Sequence, residues 1–292
     1  MIPNIQEEPV PTEPAIQFDP DFDDTAWCDD WTHWQLAHPP ARTHQSGYRV
    51  ELRTLDTAEV FGRPYRLARP LECRLLFDPE GRMWMSSTPQ EHIMMANNAR
   101  QSRGHVLVGG LGLGLYPQYA QLGAIGGATR FTIVERSPVV RDLVEPALRA
   151  SLRVPFEVVV AEVGAYLTAT KPRPPHFDTV FLDTWDTLDA AILPDVNHLR
   201  DLARRRLTDD GRVLLWGYRW MVRLFEEACG ELLETPAAKR PAWLATLRIA
   251  SPSAAALLDP VAAHFAGVDP ADMVAALAWC RAYIVSASRP SR

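Results

Sequence analysis

The feature that most constrains this chain is a short apolar run followed at once by a glycine-rich turn, in the segment HVLVGGLGLGLYPQYAQLG that begins at His105. The run Val106–Val108 has the length and composition of a buried parallel strand. Four glycines then leave the turn without side chains: Gly109, Gly110, Gly112 and Gly114. A helical pattern begins at Leu115. A strand, a glycine turn and a helix in this order predict free backbone N–H groups and a positive helix end, where an anionic group of a nucleotide-like ligand can bind.

Further apolar strands alternate with helical segments after this turn, which predicts a doubly wound parallel α/β sheet. We expect strands in RFTIVE, FEVVV, TVFLD and RVLLWGY. Asp209, Asp210 and Gly211 predict a turn before the last of these strands. A final strand is a further expectation at AYIVS, residues 282–286.

The remaining composition predicts four segments. Residues 1–20 are rich in proline and glutamate and should form a flexible arm. Residues 21–85 combine an aromatic, acidic segment with a β-hairpin layer, residues 86–219 form the nucleotide domain, and residues 220–292 form a mainly helical extension. In the acidic segment, Trp27, Trp31 and Trp34 share one helical stripe, which either packs on the main domain or serves as a lid over a ligand pocket.

Charge and cysteine usage narrow the function classes. The net charge of −6 gives no general attraction to nucleic acid or to anionic membranes, and no apolar run is long enough to span a bilayer. The four cysteines are scattered, and the histidines lack metal-ligand spacing, so we expect neither a disulfide framework nor a metal site. An acidic, proline-rich start is unlike a signal peptide. We expect a cytoplasmic protein with a small-molecule substrate, and leave homodimer formation open.

Acidic residues close three successive strands after the glycine turn: Glu135, Glu162 and Asp183. Ligands of open α/β sheets bind beyond the carboxyl ends of the strands, so these side chains should line one crevice. Glu135 lies 25 residues beyond Gly110, close to the usual distance from a glycine turn to a ribose-binding acid. A carboxylate at this position can accept hydrogen bonds from both ribose hydroxyls.

The glycine spacing and the segment FDTVFLDTWDT (residues 177–187) resemble the class I S-adenosylmethionine-dependent methyltransferases. Gly110, Gly112 and Gly114 give G-x-G-x-G, whereas dinucleotide-binding proteins use G-x-G-x-x-G. Five residues match the guanidinoacetate and arginine methyltransferase branch: Phe177, Asp178, Asp183, Thr184 and Trp185. The helix containing Glu91 is loosely similar to the substrate-side segment of that branch. Asp183 and Asp186 also match the Asp-x-x-Asp of the spermidine synthases.

The resemblance implies a Rossmann-like fold of the class I methyltransferase type with S-adenosylmethionine as cofactor. The implied cofactor-binding residues are Gly109, Gly110, Gly112, Gly114, Glu135, Arg136, Glu162 and Val163. The implied catalytic residues are Asp183, as proton acceptor, and Asp186, as second anchor. The implied substrate-binding residues are Glu91, Thr184 and Trp185, although Trp185 is equally interpretable as an ordinary core aromatic residue.

These features predict methyl transfer to nitrogen of a small, cationic amine or guanidino metabolite. The first alternative is a spermidine-synthase-like transfer of an aminopropyl or other alkyl group from a derivative of the same cofactor. The second is a non-catalytic cofactor-binding or scaffold module. A nicotinamide oxidoreductase is disfavoured by the spacing of the glycines.

Overall fold

The computed structural model describes residues 36, 38–44, 46–60, 63–122, 127–170 and 175–288. The predicted arm (residues 1–20) and the tryptophan stripe of Trp27, Trp31 and Trp34 lie outside the described residues. Among the helices that the structure does describe, none has the length and apolar character needed to cross a membrane.

An antiparallel sheet precedes the nucleotide domain, as the hairpin pattern predicts. Its strands run in the order β1-β2-β3-β4 and are β1 (Arg42–Thr43), β2 (Arg49–Val60), β3 (Arg63–Phe77) and β4 (Met83–Ser86). The buried carboxylate of Asp78 organises the turn between β3 and β4. It accepts hydrogen bonds from the backbone N–H of Arg82 at 2.8 Å and from the indole N–H of Trp84 at 3.1 Å. These bonds hold the turn and the start of β4 in place.

The second sheet is parallel throughout, and its strand order is β7-β6-β5-β8-β9. Its strands are β5 (Gly104–Gly109), β6 (Ala128–Glu135), β7 (Phe156–Val160), β8 (Phe177–Leu182) and β9 (Leu207–Leu215). The helices before and between them are α1 (Pro89–Ala99), α2 (Leu115–Ala120), α3 (Pro138–Ser151), α4 (Val163–Thr168) and α5 (Leu193–Arg204). This order confirms the predicted doubly wound, Rossmann-like α/β fold.

The central strand β5 is apolar on both sides because each face of the sheet is covered. Val106 and Val108 belong to the core cluster that includes α1, α2 and α3. Leu107 points to the opposite face and packs with Val163 and Leu167 of α4. Each fully buried aliphatic side chain of this kind contributes about 1.5–3 kcal/mol. An uninterrupted apolar run is therefore the sequence pattern that this position requires.

The chain after β9 is mainly helical, as predicted. Its helices are α6 (Tyr218–Glu234), α7 (Arg240–Ala250), α8 (Pro252–His264) and α9 (Met273–Ser286). Single 3₁₀ turns occur before α5 at Ala190–Ile192 and before α7 at Ala237–Lys239. The expected strand at residues 282–286 is wrong, since this stretch is the end of α9. One face of α9 is buried through every fourth residue, namely Ala276, Cys280 and Ile284. This helical packing outweighs the strand propensity of the local β-branched residues.

The expected turn at Asp209–Gly211 is also corrected, because β9 runs through it. The pairing of β9 with β8 shifts from Phe177 opposite Leu207 to Thr179 opposite Arg212. The extra residues are thus accommodated as an irregularity of the strand, and the strand continues to Leu215.

Two glycines with similar backbone conformation give a test of how tightly the sheet end is packed. Gly110 has φ +92°, and a Cβ added there would lie 2.1 Å from the carbonyl oxygen of Asp183; Gly81 has φ +82° with nothing within 4 Å. We expect Gly81→Ala to lower the free energy of unfolding by about 1–2 kcal/mol, because alanine rarely adopts a positive φ. Gly110→Ala should lower the free energy of unfolding by about 1–3 kcal/mol more than Gly81→Ala does, because the backbone of Asp183 would have to move. Urea unfolding measures both, and equal losses would contradict the packing described here.

Candidate functional site

The carboxyl ends of β5 and β8 meet at the point where the strand order reverses, which is where open α/β sheets bind ligands. The backbone N–H of Asp183 donates to the carbonyl oxygen of Gly109 at 2.8 Å, and that of Gly110 donates to Val134 at 2.9 Å. We call the space beside these two strand ends the crevice. Its floor is the glycine turn (residues 109–114), and one wall is the segment that starts at Asp183.

Glu135 binds the glycine turn through its own carboxylate. One oxygen accepts the backbone N–H of Leu111 at 2.9 Å, and the other accepts that of Ser137 at 2.8 Å. Burial raises the pKa of Glu135, and these hydrogen bonds act in the opposite direction. A protein carboxylate therefore occupies the position that an anionic ligand group would take at the turn.

The prediction of free N–H groups in the turn needs correction for this reason. The N–H groups of Gly110, Leu111 and Gly114 all have protein acceptors. A phosphate here would also be repelled by Glu135. The carboxylate has lone-pair positions beyond the two already used, so a ligand with hydroxyl donors is a better fit than a pyrophosphate.

The other predicted cofactor-binding residues lie along the same edge but differ in exposure. Arg136 is exposed, and its guanidinium carbon lies 4.7 Å from the ring centroid of Trp84. Glu162 is exposed and caps α4, accepting the backbone N–H of Ala165 at 2.7 Å. Val163 is buried, and its methyl group would lie 2.9 Å from a Cβ on Gly109. The Val163 side chain thus packs in the core beside the turn and does not form an open surface.

Two acidic residues approach the crevice from different elements: Asp183 follows β8, and Glu91 on α1 accepts from Trp216, whose backbone N–H donates to Leu182 at 3.0 Å. Burial, and then the negative charge of Glu91, raise the pKa of Asp183 well above its usual range. Burial raises the pKa of Glu91 to about 7, although the indole N–H of Trp216 donates to its Oε2 at 3.1 Å and opposes the shift. Within the described ranges, neither carboxyl has an ion-pair partner. The pair therefore forms an uncompensated acidic site.

The segment after Asp183 presents its three side chains differently. Thr184 is exposed, whereas Trp185 is half-buried and packs against the cores on both faces of the sheet and against the C-terminal helices. The indole nitrogen of Trp185 is buried and has no hydrogen-bond acceptor among the described residues. Asp186 is exposed, and its charge acts on Arg82 in the turn between β3 and β4. The pKa of Arg82 is raised mainly by its hydrogen bond to Asp78, and the charge of Asp186 raises it further. Asp186 therefore lies near the turn of the antiparallel sheet.

Two residues of the crevice were not identified from the sequence. Trp216 follows β9 and holds Glu91, and its position after an apolar strand was the available signal. Met85 lies on β4, and its sulfur is 2.2 Å from where a Cβ on Gly112 would be. No local pattern indicates that the antiparallel sheet covers the glycine turn, because that contact joins two separate sheets.

No protein-family model matches the chain, and no curated protein matches it. Among solved structures, it is similar to precorrin-6y C5,15-methyltransferase from Geobacter metallireducens GS-15, with 18% identity and a TM-score of 0.32 over 44% of this chain and 61% of that one. It is similar to the SAM-dependent methyltransferase from Agrobacterium tumefaciens, with 14% identity and a TM-score of 0.35 over 56% of this chain and 58% of that one.

A third similar structure is N-methyltransferase NodS from Bradyrhizobium japonicum WM9, with 12% identity and a TM-score of 0.30 over 48% of this chain and 80% of that one. The chain spans less than two thirds of the length of the first two structures. Because these TM-scores are low, the likenesses carry no weight for activity. The strand order defines a Rossmann-like α/β protein, and the function has to be inferred from the crevice.

The raised pKa of Glu91 predicts a pH-dependent stability difference. The folded protein retains a proton on Glu91 that the unfolded chain loses, so stability falls as the pH rises from about 4.5 to about 7. Glu91→Gln removes this loss and keeps an acceptor for Trp216. We expect the variant to be more stable than the native protein by about 2–3 kcal/mol at pH 8, and to be nearly equal to it below pH 4.5.

Chemical unfolding at the two pH values measures this difference. The matched control is Glu59→Gln, since Glu59 is exposed on β2. The control should show no comparable pH-dependent gain. A Glu91→Gln variant that is equally or less stable than the native protein at pH 8 would show that the carboxyl is not held in the unfavourable environment described.

Proposed function

We propose that this protein is an S-adenosylmethionine-dependent methyltransferase that acts on nitrogen of a small, cationic metabolite with an amine or guanidino group. The observation that carries the proposal is the pair of Glu91 and Asp183. Asp183 lies at the reversal point of a Rossmann-like sheet, directly beside a G-x-G-x-G turn, and the charge of Glu91, which is bound to Trp216 at the end of β9, acts on it. Perturbed carboxyls in a crevice of this kind are typical of functional sites.

The charge of the pair favours a cationic substrate. Bringing two carboxylates together in a buried site costs free energy that a bound ammonium or guanidinium group recovers. Because no described lysine or arginine pairs with either residue, a ligand cation is the counter-charge available when the two carboxyls ionise. A guanidinium or diamine can contact both carboxylates at once.

Asp183 would both orient this cation and accept its proton. An amine or guanidinium nitrogen becomes a nucleophile only when it loses a proton and exposes a lone pair. The raised pKa of Asp183 brings it closer to that of the donor, which favours the transfer. Trp216 would fix the direction of the Glu91 carboxylate through its indole hydrogen bond.

The residues around the turn fit S-adenosylmethionine better than a dinucleotide. Glu135 retains acceptor positions for ribose hydroxyls, and the cofactor has no phosphate for this carboxylate to repel. Glu162 lies at the next strand end, where the resemblance assigns the adenine amino group. When bound, the cofactor would supply an electrophilic methyl group. Alignment of that group with the nitrogen is worth about 7–11 kcal/mol in reactions of this kind.

Specific observations favour each of the two alternatives. The antiparallel sheet and the pair Asp183 and Asp186 favour alkyl transfer of the spermidine-synthase kind. Protein acceptors already bind several N–H groups of the turn, and Met85 lies on Gly112, which favours a non-catalytic module. These alternatives differ in what the protein binds and in what it releases.

Calorimetry and product analysis separate the three functions. We expect the full chain to bind S-adenosylhomocysteine, and to release it from S-adenosylmethionine when supplied with a panel of small amines and guanidines. Mass spectrometry that finds methylthioadenosine instead would indicate alkyl transfer. Binding without any product would favour the non-catalytic module, and the absence of both would refute the proposal.

Two substitutions then assign the roles of the acids. Asp183→Asn should abolish turnover and change the affinity for S-adenosylhomocysteine by less than about twofold, whereas Glu135→Gln should weaken that affinity by about tenfold or more through loss of a charged acceptor. The exposed residue Asp56 provides the control, Asp56→Asn, which should alter neither quantity. Normal turnover in Asp183→Asn would remove this residue from the mechanism.

A further inference from the structure

Three glycines of the turn have positive φ, and their neighbours differ in what could make way for a ligand. A Cβ on Gly110 would meet the backbone carbonyl oxygen of Asp183, and a Cβ on Gly114 would meet the buried side chain of Leu148. Neither neighbour can move without disturbing the sheet or the core. Beside Gly112, with φ +50°, the neighbour is the thioether of Met85. This is the free end of a flexible side chain.

The backbone that carries Met85 is held firmly. Met85 pairs with Leu76 in the ladder between β4 and β3. Its neighbour Trp84 donates to Asp78 at 3.1 Å and packs edge-on against Tyr48, with ring centroids 5.2 Å apart. The Met85 side chain faces the glycine turn, since its sulfur is the atom nearest to a Cβ placed on Gly112. A ligand that reaches Gly112 therefore has to displace a side chain and not a strand.

We propose that Met85 covers the part of the cofactor site beside Gly112 in the free protein and turns aside when the cofactor binds. This inference rests on the proposed function. Methionine suits such a role, since its unbranched chain has three rotatable bonds and fills irregular apolar gaps. The aliphatic methionyl chain of S-adenosylmethionine or S-adenosylhomocysteine has a length and width similar to those of the side chain that it would replace. The cofactor can bind only the molecules in which Met85 leaves the turn uncovered, so the apparent affinity is reduced in proportion to that uncovered fraction.

The experiment compares the affinity of S-adenosylhomocysteine for the native chain and for Met85→Ala by calorimetry. If the uncovered arrangement accounts for about 10–20% of the native molecules, truncation should tighten binding by about five- to tenfold. Met83 lies on the same strand and is 53% exposed, so Met83→Ala is the matched control and should bind as the native chain does. Met85→Leu keeps most of the bulk and should not gain affinity.

The outcomes distinguish this inference from the proposed function. Binding to the native chain with equal or weaker binding to Met85→Ala would overturn the inference alone, since Met85 would then be a fixed wall of the site. Binding to Met85→Ala alone would support both. No binding to either folded protein would refute both. If Met85→Ala does not fold, Met85→Val serves in its place, because a β-branched residue suits a strand and is too short to cover Gly112.

Discussion

The carboxylate of Glu135 is the interaction on which the geometry of the crevice depends. It joins the end of β6 to the turn after β5 by accepting the N–H groups of Leu111 and Ser137, so the floor of the crevice is held by the protein without a ligand. The cost of burying this charge is offset by those hydrogen bonds. A turn fixed in this way excludes phosphate and leaves hydroxyl donors as suitable partners. One internal contact thus both shapes the site and selects the chemistry of what can bind there.

The second constraint is electrostatic. Glu91 comes from a helix that precedes the parallel sheet, whereas Asp183 follows β8, and in the fold the charge of Glu91 acts on Asp183 without a described counter-ion. A structure that served stability alone would place an apolar residue or an arginine at one of these positions. The arrangement is unfavourable for the free protein and favourable for a cation-bound one. This is why the pair, more than the glycine turn, supports the proposed function.

The parallel sheet could be predicted from the sequence because its strands are buried on both faces and therefore appear as apolar runs, such as Val106–Val108. The sequence also placed Glu135, Glu162 and Asp183 at one edge, since parallel strands end on the same side. It failed at residues 282–286, where tertiary packing of Ile284 on α6 outweighed β propensity. It could not identify Trp216 or Met85 as crevice residues. Trp216 and Met85 matter because they contact elements far away in the chain, and the periodicity of a sequence contains no information about such contacts.

The position of Trp185 has a consequence for how the site is kept rigid. Its ring packs against the cores on both faces of the sheet and against the C-terminal helices, two residues after the acid that faces Glu91. Helices α6–α9 therefore brace the loop on which Asp183 lies, even though they contribute no strand to the sheet. A change in the packing of this helical layer would reach the loop that carries Asp183 through the indole of Trp185. The C-terminal extension is in this sense part of the framework of the site.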